Sequence, residues 1–434
     1  MIKMKKLVAQ ALIAGLCFGG DALASKERNY FIKISGDNNL SYSQDAGANL
    51  AFSTISGLAY YADTANLNDS FLARAALGYG AFFTVLMNHE IVGHGFKAKE
   101  MGYDFTDIEL SIFGGAAYYK KTAKNVVHIH KNAMVSLNGN QVNNFLAQKI
   151  ADNVVTNKQL LDPVTGFGYI FSSGNQLKYI YMTSTSLEGH DLVSYSRDME
   201  LAYGAGAMSM SKIKAVGFLE FLNPILIASI YSAATGEYVD IPKLPLGDYL
   251  AVTPFAGVTL APYGIIEKKI GTYIFTDYSP VQISFGFGTQ DKSKHAAKLT
   301  IYEMRYFYND RVRGVMFDQD HKSGIFSEAA SAAYKGIPEN YSSYMLAFKV
   351  YNLLSLGDVN LSLDGAVWSQ PELITDNAYD AKPQTGWMMN LGVNYAISEQ
   401  FTLNLKGGYK TKGFVIGEVL KAGATASAGF QMKL

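Results

Sequence analysis

The chain has 434 residues, of which 49% are hydrophobic and only 17% charged, and its 37 Lys and Arg balance its 37 Asp and Glu. Such neutrality removes the electrostatic basis for nucleic-acid binding. One cysteine, Cys17, leaves no partner for a disulfide and no thiolate metal site.

In chain order, residues 1–24 read as a secretory signal: Lys3, Lys5 and Lys6 precede an apolar core from Leu7 to Phe18, and Ala22-Leu23-Ala24 forms a small-residue cleavage site. Cys17 follows Leu16, where a lipoprotein acceptor requires a small residue, so the mature protein is expected to be exported, unacylated and cysteine-free. Residues 25–65 are expected to hold strands at Asn29–Ser35 and Asn49–Tyr61, with the loop Gly36-Asp37-Asn38-Asn39 between them.

Residues 66–237 follow a helical pattern. Asn68, Asp69 or Ser70 can cap a helix through Phe71, Leu77, Phe82 and Leu86, and further helices are expected near 140–160, 165–182, 191–203 and 210–234, punctuated by Pro163, Gly204, Gly206 and Pro224. Phe71–Asn88 and Ala215–Ala234 approach the length of a membrane span. Arg74 and Glu220 would be costly at a bilayer centre, so both runs are expected to be buried helices, with an inner-membrane location as the competing reading.

From 247 to 434 the period changes to two. Val281, Ile283 and Phe285 alternate with Gln282, Ser284 and Gly286; Leu361, Leu363 and Val367 are set against Asn360, Ser362 and Asp364; Trp387, Met389, Leu391, Val393 and Tyr395 alternate with Met388, Asn390, Gly392 and Asn394; and Phe401, Leu403 and Leu405 with Thr402, Asn404 and Lys406. With 29 Tyr, 25 Phe and 41 Gly, this predicts an α+β fold: an antiparallel transmembrane-type β-barrel of about 10–12 strands carrying a large helical insert or plug. Its partner would be membrane lipid and its place the bacterial outer membrane. A secreted sandwich or soluble barrel produces the same alternation and would leave the protein in the periplasm. The last segment, Ala424–Leu434, resembles the C-terminal strand signal of outer-membrane barrel proteins, with Leu434 where that family usually carries Phe.

The run Asn88-His89-Glu90-Ile91-Val92-Gly93-His94-Gly95 places two imidazoles around a carboxylate at the end of an apolar helix. Zinc hydrolases need that combination: neutral imidazoles hold Zn2+, and a nearby Glu takes a proton from the attacking water. The spacing is His-Glu-x-x-x-His, and on a regular α-helix residues five apart point about 140° away from one another. A π-bulge, a helix ending at Gly93, or a Glu90/His94 ligand pair would each restore a shared site. Gly93 and Gly95 favour the first two, with His89 and His94 as metal ligands and Glu90 as general base.

A further ligand is expected from His128, His130, His190 or Asp191. His128-Ile129-His130 would project both rings to one side of a strand, and Gly189-His190-Asp191 sets an imidazole beside a carboxylate at a helix start. His295 and His321 read as hydrogen-bonded or exposed histidines.

The order His89-Glu90, Gly93-His94, Phe113-Gly114-Gly115, then Leu137-Asn138-Gly139-Asn140 leading to Asn143 resembles site-2-type intramembrane zinc proteases over about 60 residues. That resemblance implies two His ligands, a Glu base and a distant Asp ligand, for which Asn223-Pro224 and Leu246-Gly247-Asp248 are the nearest echoes. The function expected is therefore a zinc-dependent hydrolase, a metallopeptidase, on an outer-membrane barrel. The alternatives are a non-enzymatic barrel with a helical plug, serving as a pore, transporter or structural protein, and a hydrolase of membrane acyl-lipids in a setting that resembles barrel-borne lipid A deacylases. Gly-x-Ser-x-Gly elbows and phosphate-binding glycine loops are absent from the sequence.

Overall fold

A computed structural model describes residues 30–37, 44–100, 103–112, 114–120, 129–156, 159–182, 190–203, 208–247, 249–261, 265–276, 280–289, 299–301, 345–370, 384–411, 413–415, 418–420 and 422–434. The expected signal (1–24), His128, His295, His321, Phe113 and Asp248 lie outside the described residues.

After β1 (Phe31–Asp37) come α1 (Gln44–Thr64) and α2 (Phe71–Met87), which continues without a break through a π-helical segment, Asn88–Phe96, and a closing α turn, Lys97–Glu100. A hairpin follows, β2 (Asp104–Leu110) and β3 (Gly115–Lys120). Then come α3 (Ile129–Thr156), α4 (Pro163–Met182), α5 (Asp191–Tyr203), α6 (Met210–Gly217), a 3₁₀ turn (Phe218–Leu222) and α7 (Pro224–Thr235). The remaining chain forms β4 (Leu244–Pro245), β5 (Leu250–Ala261), β6 (Ile265–Thr276), β7 (Val281–Thr289), β8 (Leu299–Ile301), β9 (Met345–Leu356), β10 (Val359–Gln370), β11 (Gln384–Ala396), β12 (Phe401–Lys410), the short β13 (Gly413–Val415) and β14 (Glu418–Leu420), and β15 (Gly423–Lys433).

The protein is thus α+β with one large antiparallel sheet. Eleven strands join in it, in the order β1-β15-β12-β11-β10-β9-β7-β6-β5-β4 with β8 beside β7. Among the described residues β1 and β4 are its two ends and do not pair with each other. All neighbours are antiparallel and most are consecutive in the chain, but β7 pairs with both β8 and β9, β12 pairs with β15 past the separate β13–β14 pair, and β1 returns from the N-terminal end to pair with β15 over Phe31–Asp37 and Ser427–Lys433.

The alternation legible in the sequence places its polar face inward. Gln282, Ser284, Asp364, Asn390 and Lys410 are buried, whereas Ile283, Val367, Trp387, Met389, Leu391, Leu405, Tyr409 and Phe430 are exposed. That is the inverse of a water-soluble sandwich, whose apolar face is the covered one.

What covers the polar face is the helical layer. Lys349 Nζ donates to Asp152 Oδ2 on α3 at 2.7 Å, Lys33 Nζ to Asn153 Oδ1 at 2.9 Å, and Gln148 Nε2 to Tyr273 Oη at 2.6 Å. These polar side chains on the strands therefore have partners across the layer boundary, as burial demands.

Helices also protect the free sheet edges, which would otherwise leave backbone groups unpaired. Along β1, Phe31 N–H donates to Ser56 Oγ at 2.8 Å and Lys33 N–H to Ser53 Oγ at 2.7 Å, while Ser53 Oγ–H donates back to the Lys33 carbonyl. Along β5, Val258 N–H donates to Glu220 Oε1 at 2.6 Å and the Leu260 carbonyl accepts from Gln141 Nε2 at 3.4 Å. Glu220, read as a liability in an apolar run, is the acceptor that one sheet edge needs.

Arg74 has a similar explanation. It is buried and donates to the Asn68 carbonyl and, at 3.4 Å, to the Ala234 carbonyl in the last turn of α7, where the helix dipole favours a cation. The outer flank of α2 is left to Phe71, Leu72, Tyr79 and Met87, all exposed. By length and composition the path Phe71–Lys99 is apolar enough to cross a membrane. The run expected at 210–234 bends by 71° where Pro224 begins α7, with Asn223 as its cap.

Two expectations are corrected. The second N-terminal strand, Asn49–Tyr61, is helix α1: Ala48, Phe52, Ile55, Ala59 and Ala62 recur at helical spacing and are all buried. The zone 66–237 also contains the β2–β3 hairpin, whose alternation over Asp104–Leu110 is broken by a register shift between Phe105 and Asp107.

Candidate metal centre

The extra residue between the two imidazoles is absorbed by the π segment Asn88–Phe96. With i→i+5 bonding the turn widens, so residues five apart stack on one face instead of diverging. Both rings point to one spot: His89 Nε2 and His94 Nε2 are 3.1 Å apart, with ring centroids 4.8 Å apart at 75°.

Asp191, the first residue of α5, completes the group. Its Oδ2 lies 3.1 Å from His89 Nε2 and 3.2 Å from His94 Nε2. Burial alone would raise the Asp191 carboxyl, but the His94 and His89 imidazoles, with their hydrogen bonds to it, hold it well below the usual carboxylate range.

Three donor atoms at mutual distances of 3.1–3.2 Å form a nearly equilateral triangle. Ligands bound about 2.0–2.1 Å from a tetrahedral zinc stand about 3.3–3.4 Å apart, so the donor set fits such an ion with little adjustment and leaves a fourth position. The space is kept open by α3. A β-carbon on Gly139 would fall 2.5 Å from both Nε2 atoms, so only glycine leaves the convergence point free. His89, His94 and Asp191 are the His/Asp/Glu/Cys group among the described residues whose donor atoms converge closely enough to hold a metal.

The rings are oriented from behind. His94 Nδ1–H donates to the Val135 carbonyl at 2.8 Å, which leaves Nε2 as the nitrogen that faces His89 and Asp191. His89 Nδ1 lies 3.1 Å from the side-chain amide of Asn143. Asn138 Nδ2 donates to the Gly93 carbonyl at 2.7 Å, satisfying a carbonyl of the widened turn.

Glu90 is buried beside this group; burial pushes its carboxyl above the usual carboxylate range, against the opposing pull of His94, His89 and the Ala117 N–H that it accepts from β3. Gly115 at the start of β3 makes room for it, since a β-carbon there would fall 2.8 Å from Glu90 Cγ. The hairpin missed in the sequence is what packs on the carboxylate.

Of the other expected ligands, His128 lies outside the described residues. Ile129 and His130 begin helix α3, where the sequence pattern led to the expectation of a strand. His190 precedes α5, where its carbonyl accepts the Ser194 N–H at 2.8 Å, and its ring is not one of the three converging donors. Asn223, an echo of the Asp-bearing motif, instead caps α7 and donates to Tyr169 Oη at 2.9 Å.

No protein-family model matches the chain, and no curated protein does. Among solved structures it is similar to the crystal structure of Acinetobacter baumannii OccAB3, at 9% identity with a TM-score of 0.25. That likeness covers 44% of this chain and 46% of the other, so the chain spans less than half of that structure's length.

Proposed function

We propose that this protein is a zinc-dependent hydrolase, of the metallopeptidase type, carried by a β-sheet embedded in the bacterial outer membrane. The observation that carries the catalytic part is the convergence of His89, His94 and Asp191 donors at 3.1–3.2 Å around a space that Gly139 keeps open. His89, His94 and Asp191 would hold the ion. When bound, zinc supplies Lewis acidity and acidifies water. Glu90, beside the ligands, takes the proton released as water attacks a carbonyl and returns it to the leaving group.

The membrane part is supported by the inverted sheet, whose exposed face is apolar and whose buried face is polar. Trp387 and Tyr409 meet on that outer face with ring centroids 6.0 Å apart, and amphipathic aromatics of this kind favour a membrane interface.

Elemental analysis of purified wild-type protein against the His89→Ala/His94→Ala variant tests the metal. The expectation is about one zinc per wild-type chain and none in the variant; equal, substoichiometric metal in both removes the enzyme reading. The same inverted sheet also supports a second reading, a non-enzymatic outer-membrane barrel with a helical plug. Reconstituted conductance without bound metal would select it. A third substrate class, the acyl-lipids of the surrounding membrane, separates from peptides by the lipid profile of a deletion strain.

A further inference from the structure

Asn143 lies on α3 one turn beyond Gly139 and is 1% exposed. As placed, its Nδ2 faces His89 Nδ1 at 3.1 Å, while its Oδ1 is buried with no hydrogen-bond partner among the described residues. A buried, unpartnered amide oxygen is costly. An amide rotated by 180° exchanges the two atoms at almost no change in shape.

The two orientations have different consequences for His89. With Nδ2 forward, the amide donates to Nδ1, so the ring proton sits on Nε2, where Asp191 Oδ2 at 3.1 Å accepts it. With Oδ1 forward, the amide accepts from an Nδ1–H, the orphaned oxygen gains a partner, and the Nε2 lone pair faces His94 and Asp191. His94 has no comparable choice, because the Val135 carbonyl opposite its Nδ1 can only accept.

We infer that Asn143 is a positioning residue whose amide selects the tautomer of His89, turning Oδ1 to Nδ1–H when a cation is held at Nε2 and Nδ2 to Nδ1 when none is. The ligation half of this rests on the metal reading above; the tautomer half does not. The amide thus couples cation binding to one side-chain rotation in a buried layer. A fixed acceptor at 143 would lock the ligating tautomer, and an apolar residue would leave it unselected.

The test uses full-length protein in detergent, with zinc affinity measured by chelator competition and the ring protonation of His89 read by ¹⁵N shifts in histidine-labelled samples. Asn143→Ala and Asn143→Leu are expected to weaken zinc by about 10- to 100-fold, while Asn143→Asp, a fixed acceptor, holds zinc at least as tightly as wild type. In metal-free protein, His89 is expected to be Nε2-protonated in wild type and Nδ1-protonated in Asn143→Asp. Wild-type zinc affinity in Asn143→Ala, or a loss in Asn143→Asp equal to that in Asn143→Ala, overturns the inference. If wild type binds no zinc, the metal reading fails by itself and the metal-free comparison still decides: a tautomer that differs between wild type and Asn143→Asp supports the role of Asn143, and one that is the same overturns it.

Discussion

Gly93 and Gly139 bring the π segment and α3 into backbone contact: a β-carbon on Gly93 would fall 2.6 Å from the Gly139 Cα. The approach is what lets α3 pass directly over the two imidazoles. Gly139→Ala would place a methyl group at the convergence of His89 and His94, so zinc content is expected to fall to background. The helix itself gains propensity from the change, and overpacking costs about 1–3 kcal/mol. Elemental analysis together with a thermal melt checks this: full zinc occupancy in Gly139→Ala would show that the cradle is not where the ion sits.

Glu90→Gln removes the proton acceptor but keeps the shape that Gly115 and Ala117 pack against. It is expected to retain zinc and to lose turnover by about 10²- to 10⁴-fold. Comparing membrane peptides and acyl-lipids from cells expressing wild type or Glu90→Gln reads the product side without a chosen substrate. Turnover at the wild-type level would move the base to another residue.

Much of this arrangement is legible in the sequence, and the parts that are not share a cause. Gly93 and Gly95 around His94 announce a distorted helix, and the π segment follows. The two-residue alternation from Val281 to Phe430 announces strands, but it does not say which face is covered; only Lys349 meeting Asp152 and Lys33 meeting Asn153 show that the polar one is. Asp191 stands about a hundred positions from the histidines, so its choice over His190, its immediate neighbour, depends on how α5 docks on α3. The misread α1 carried its own signal, the spacing of Ala48, Phe52, Ile55, Ala59 and Ala62, obscured by the aromatic and β-branched residues between them. The hairpin β2–β3 is too short and irregular for its period to stand out.

Leu391 and Asn390 are neighbours on β11 with opposite surroundings, Leu391 exposed and Asn390 buried against Asp364, to which it donates at 2.8 Å. If the exposed face meets lipid, Leu391→Arg costs about 2–4 kcal/mol near the bilayer midplane. On a water-exposed sheet the same change stays within about 0.5 kcal/mol of neutral. Urea titration of folding into liposomes separates the two, and an unshifted midpoint would argue for a soluble sheet.

The contact between Lys349 and Asp152 tests whether the helical layer is anchored to the sheet by charge or merely rests on it. The lysine comes from the inner face of β9, and Asp152 on α3 also accepts from Gln148, which in turn donates to Tyr273 on β6, so one carboxylate joins two strands to a helix. Their side chains are 22% and 11% exposed, which leaves the pair partly screened and keeps its worth below that of a fully buried one. Removing only the cation, in Lys349→Met, strands a mostly buried carboxylate and is expected to lower unfolding stability by about 2 kcal/mol. The double variant Lys349→Met/Asp152→Leu replaces both charges with apolar side chains of similar reach and is expected to recover most of that loss. Zinc content should be unchanged in either protein while it stays folded, because neither residue touches the His89, His94 and Asp191 group. A single variant as stable as wild type would mean that the layers are held by packing alone, and a double variant worse than the single would mean that the polar boundary itself, rather than charge balance, is what the inner face of the sheet requires.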